Sequence, residues 1–133
     1  MTQTTTGDGW AIGSIDGMGE GPGFRKVRRE LGVTAFGVNA VVLPPGYAGR
    51  THYHDRQEEL YLVHQGTVEF SFGEGDDATS YELGPGGLAR VDASTVRCLR
   101  NTSESEEAVF LCVGGEGGYV GRDGRPAGPD APR

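Results

Sequence analysis

Two histidines one residue apart, His52 and His54, sit in the stretch from Gly46 to Gly66, GYAGRTHYHDRQEELYLVHQG. Side chains at i and i+2 of a strand leave the same face, so both imidazoles can enter one pocket. A turn-like DRQE follows. Glu59 then opens an apolar strand, and an antiparallel return would bring its carboxylate opposite the histidine pair. Two imidazole nitrogens and one carboxylate oxygen form a facial set suited to a divalent transition metal: Fe, Mn, Ni, Co or Zn. A bare H-x-H pair is a weak signal, and Glu59 at this spacing sharpens it. Tyr61 and Val63 share the face of Glu59, where Tyr61 serves as a pocket donor or as a packed barrel tyrosine. His64 and Glu58 point to the opposite face, toward solvent or a subunit contact.

The elements that must hold these residues read as strands. The chain has 133 residues, enough for one domain and one core. Its 24 Gly and 7 Pro argue against a helical bundle and for a β-rich fold with tight turns. Residues 33–43 (VTAFGVNAVVL) are β-branched and apolar and stop at Pro44-Pro45-Gly46. In TVEFSF, Val68, Phe70 and Phe72 alternate with Glu69 and Ser71. Further strands are expected over 60–63, 80–83, 88–91, 96–99 and 108–113. The only rival for a helix is RKVRREL, whose basic residues read more simply as the solvated face of an edge strand. So many short strands predict a closed barrel or jelly roll, because closure removes exposed edges.

A net charge of −7 argues against an electrostatic nucleic-acid binder. No apolar run approaches the length of a membrane span, and the start, MTQTTTGDGW, shows no signal peptide. Cys98 and Cys112 sit in apolar stretches, as small buried hydrophobes rather than a disulfide, and a cytoplasmic location is expected. The glycine-rich end carries few apolar groups. Only Tyr119 and Val120 look able to dock, and disorder is expected from about Arg122.

Gly46, five residues, His52-Tyr53-His54, four residues, Glu59, six residues and Gly66 resemble the first motif of the cupins at every fixed position. A second motif runs from Gly86 to Asn101 and departs from the family pattern: Asp92 replaces Pro, Ser94 replaces Gly, and Arg97 replaces the last metal-binding His. The resemblance implies an all-β cupin fold, a double-stranded β-helix or jelly-roll barrel. Residues 33–113 would be its core, 1–32 an N-terminal arm and edge strand, and 114–133 a Gly/Pro-rich segment. It implies His52, His54 and Glu59 as metal ligands, a small-molecule ligand and a homodimer.

Arginine stays protonated, so Arg97 cannot ligate in a histidine's place. A guanidinium about 4 Å from a divalent cation would be repelled by roughly 8 kcal/mol at an effective dielectric of 20. Two arrangements remain. In one, a metal binds and Arg97 orients an anionic substrate beside it, as in an oxygenase, isomerase or cyclase, with Tyr61 a candidate for proton transfer. In the other, Arg97 pairs with Glu59, and the pocket is a metal-free binding site or scaffold.

Overall fold

The computed structural model describes residues 4–127 of the chain. Twelve strands follow in order: β1 (Thr5–Gly7), β2 (Trp10–Ile12), β3 (Gly23–Arg25), β4 (Gly37–Leu43), β5 (His52–His54), β6 (Glu58–Gln65), β7 (Val68–Phe72), β8 (Thr79–Leu83), β9 (Leu88–Val91), β10 (Arg97–Arg100), β11 (Ala108–Gly115) and β12 (Gly124–Pro126). One helix, α1 (Val27–Leu31), lies between β3 and β4. The first five-stranded sheet has the order β12-β5-β10-β7-β8, and the second β3-β4-β11-β6-β9, with every pairing antiparallel. β1 and β2 form a separate hairpin. This two-sheet, all-β architecture is the jelly roll that the short, turn-punctuated strands predict.

The core lies between the two sheets. Val41, Leu43, Tyr61, Val63 and Phe110 come from the second, and Val68, Phe70 and Leu99 from the first. Burying a side chain of this kind is worth about 1.5–3 kcal/mol relative to leaving it exposed. β4 does not alternate because both its faces are covered. Val41 and Leu43 point into the sandwich, while Val38 and Ala40 pack outward under Ile15, Met18, Val27, Leu31 and Val33.

Two expectations are corrected here. The basic stretch is strand only through Arg25, and Val27–Leu31 is helical. Val27 and Leu31, four residues apart, both pack with the cluster around Val38 and Ala40, and so short a helix depends on that packing. The expectation of disorder from about Arg122 also gives way, because Gly124–Pro126 pairs with β5. Main-chain bonds supply what apolar burial does not: Asp55 N–H donates to Asp123 O at 3.3 Å and Ala127 N–H to Thr51 O at 2.9 Å. Residues 128–133, the rest of that expected tail, lie outside the described residues. No helix among those described is long and apolar enough to cross a membrane.

Candidate functional site

The site spans the gap between the sheets. β5 and β10 of the first sheet supply His52, His54 and Arg97, and His52 is the register partner of Arg97. β6 and β11 of the second supply Glu59, Tyr61 and Cys112, with Cys112 opposite Tyr61. One donor atom from each of His52, His54 and Glu59 lies within 4.8 Å of the others. The two imidazoles meet edge to face at 5.2 Å between centroids.

Glu59 is nearly sequestered, and both its oxygens are engaged. Oε1 accepts from Arg97 Nη2 at 2.6 Å and from Tyr61 OH at 2.5 Å, and lies 3.2 Å from His54 Nε2. Oε2 accepts from Gln57 Nε2 and Cys112 Sγ, each at 3.0 Å. Burial alone would raise this carboxyl group, but the bonds from His54, Tyr61 and Cys112 hold it well below the usual carboxylate range. Burial first, then the neighbouring Cys112 and the charge on Glu59, keep the Tyr61 hydroxyl protonated. Gly114, across from Glu59, leaves room for the Gln57 side chain, because a Cβ there would sit 2.8 Å from Gln57 Cδ.

Arg97 is fully buried. Its Nη1 donates to the carbonyls of Asp92, Ala93 and Thr95 at 2.8–3.2 Å, and its Nε to Tyr61 OH at 3.2 Å. The clamp role expected of Arg97 therefore meets a guanidinium absent from the cavity wall, with Glu59 as its anion. Asp92 and Ser94, the departures in the second motif, belong to the turn that wraps this group in carbonyls. Asn101 is equally buried and donates to the carbonyls of Leu43 and Glu106.

The two histidines are held differently. His52 Nδ1 is 2.9 Å from the Arg50 carbonyl, which can only accept, so Nδ1 carries the proton and Nε2 the lone pair. Burial is the largest cause pulling His52 below its ordinary 6.5, with Arg97 adding to it and the Arg50 carbonyl opposing. His54 Nδ1 is buried without a hydrogen-bond partner, and Asp123 Oδ2 stands 3.6 Å away. Asp123 is fixed by the backbone N–H groups of Arg56 and Gln57 at 2.9 and 2.7 Å. Burial raises its carboxyl group, and those two amides more than reverse the effect. His64 and Glu58 are exposed, and Glu58 pairs with Arg90.

Sequence reading misses Gln57, Cys112 and Asp123. Cys112 packs against the core as a small hydrophobe should, and its thiol also donates to a site carboxylate because β11 registers against β6. Asp123 offered one local signal, a D-G dipeptide in a segment otherwise read as tail. A cavity of about 880 Å³ opens over the group and is lined by His52, His54, Gln57, Glu59, Tyr61 and Cys112 among others.

A family model described as a cupin domain matches residues 39–114. The chain belongs to the cupin family. Among solved structures, this cupin is similar to a sugar phosphate isomerase of the cupin superfamily from Silicibacter pomeroyi, at 26% identity and TM-score 0.60, covering 80% of this chain and 59% of that one. A conserved protein with a double-stranded β-helix domain from Klebsiella pneumoniae subsp. pneumoniae matches at 20% identity and TM-score 0.65, covering 80% and 90%. Oxalate oxidase in complex with the substrate analogue glycolate matches at 20% and TM-score 0.55; the cupin covers 62% of its own length and 42% of that chain. No curated protein matches the sequence.

Proposed function

We propose that this cupin binds a divalent transition metal on His52, His54 and Glu59, at the inner end of a cavity for a small organic molecule. The observation that carries the reading is the convergence of two imidazole nitrogens and one carboxylate oxygen within 4.8 Å across the two sheets. Two ligands of one ion at about 2.1 Å, set about 100° apart, lie roughly 3.2 Å from each other, and His54 Nε2 is 3.2 Å from Glu59 Oε1. The orphaned His54 Nδ1 fits as well. If Nε2 gives its lone pair to a metal, the ring proton moves to Nδ1 and faces Asp123, the usual carboxylate support behind a ligating histidine.

When bound, the ion would supply Lewis-acid polarisation or oxygen activation. The chain's own residues do the positioning. Arg97, Tyr61, Gln57 and Cys112 fix the Glu59 carboxylate, and the Arg50 carbonyl fixes the His52 tautomer. Arg97 and Tyr61 are thus positioning residues. Resemblance to a sugar phosphate isomerase supports a small organic substrate, with oxygenation or a proton-shifting isomerisation or cyclisation as the reaction class. A homodimer is the proposed assembly. Leu60 and Leu88, 45% and 61% exposed on the outer side of the second sheet, offer apolar surface for a second copy, which sedimentation mass would test.

A metal-free pocket is the second reading, favoured by one observation: Glu59 already has Arg97 as its cation. Elemental mass spectrometry of untagged protein decides between them. About one equivalent of a transition metal per chain, lost in His52→Ala, supports the metal reading. No uptake after incubation with Fe(II), Mn, Ni, Co or Zn overturns it.

A further inference from the structure

Among the described residues, six Lys and Arg line the cavity: Lys26, Arg28, Arg29, Arg50, Arg122 and Arg125. Among the described residues only two Asp and Glu do so, Glu59 and Asp123. Both carboxylates are already answered, Glu59 by Arg97 and Asp123 by two backbone amides. Of the six cations, Arg125 pairs with Asp55, and the other five make no ion pair among the described residues. On a chain of net charge −7, the fold has gathered like charges from α1 and its N-terminal flank, the loop before β5 and the residues around β12. Such a cluster repels itself, and an anion relieves it.

The rim cations are not simply adrift in solvent. Arg28 Cζ lies 3.9 Å from the centre of the Tyr119 ring, a cation–π contact that positions the guanidinium while leaving its charge without an anionic partner among the described residues. Arg122, with φ of 54°, is the one non-glycine residue among those described with positive φ, a backbone state kept where surrounding structure enforces it. Deeper in, the wall turns apolar at Val41, Leu43, Leu99 and Phe110.

We propose that the cavity takes an amphiphilic organic anion, its apolar body against Val41, Leu43, Leu99 and Phe110 and its carboxylate or phosphate at the rim with Arg50, Arg122 and Arg28. The anion faces outward, away from buried Arg97. This rests on the reading of the cavity as a small-molecule site and not on whether a metal is present.

Calorimetric titration at low salt tests it with three probes: 3-phenylpropionate, phenyl phosphate and uncharged 3-phenylpropionamide. At least one anion should bind wild type about tenfold or more tighter than the amide. Arg50→Gln/Arg122→Gln should weaken that anion by about tenfold or more and leave the amide unchanged. Whichever anion binds tighter names the headgroup. Equal binding of anions and amide, no binding of any probe, or an unaffected double variant overturns the proposal. Metal content of the same wild-type sample is read in parallel: anion binding without metal uptake sinks the metal reading alone, and metal uptake without anion preference sinks this one alone.

Discussion

Glu59 is costly to bury and has been given more partners than a carboxylate needs. Removing one member of a buried, hydrogen-bonded ion pair leaves an uncompensated charge, which costs about 3–5 kcal/mol. Arg97→Ala should therefore lower the urea-denaturation stability by about that much, and Glu59→Gln/Arg97→Met, which removes both charges, should recover a large part of the loss. An Arg97→Ala variant as stable as wild type would mean that the pair contributes nothing. The acid limb of the stability curve follows from the same group of residues. Burial depresses His52 below 6.5, so the unfolded chain takes up a proton that the folded one refuses, and stability falls as pH drops below 6.5. Glu59 is held below its ordinary 4.5, so its contribution is full above that value and is lost on further acidification. Melting temperature against pH should fall in two stages, and His52→Asn should erase the first.

The strands deliver these residues through their two-residue period, and that much was legible. The H-x-H pair and the Glu59–Tyr61–Val63 face could be read locally because each lies within one strand. Cys112 could not, because its contact with Glu59 depends on how β11 and β6 register, a long-range property; Gln57, two residues before Glu59, lay within local reach but sits in the stretch read only as a turn. Asp123 was hidden for a different reason. β12 joins β5 by main-chain bonds, and a segment held that way needs no apolar pattern to announce it. Asp123→Ala strands the Arg56 and Gln57 amides and should cost about 1–3 kcal/mol and lower metal affinity about 10–100-fold. Asp123→Asn keeps an amide acceptor, so it should restore stability while leaving metal uptake weak. Gly66, the last fixed position of the first motif, has φ of 73°, and a Cβ there would fall 2.5 Å from the Glu107 carbonyl. The left-handed backbone alone makes Gly66→Ala cost about 1–3 kcal/mol, with the clash added, which thermal melting would read.

At the scale of the molecule, charge and topology meet in the cavity. Lys26, Arg28 and Arg29 read as a solvated face because the sequence shows only their neighbours, and the fold sets them around the same cavity as Arg50 and Arg122. Their convergence depends on the short helix and on β12, neither of which local pattern revealed. A last consequence concerns the order in which the molecule becomes native. His52, His54 and Arg97 ride on one sheet, while Glu59, Tyr61 and Cys112 ride on the other. A collapsed intermediate with both sheets formed but not yet docked has every residue of the site and no site. Recovery of binding during refolding would thus clock the final closure of the sandwich and lag behind the return of strand signal. Once formed, an occupied site would act as a rivet, and ligand at about a hundred times its dissociation constant would hold the sheets together by about 2.7 kcal/mol.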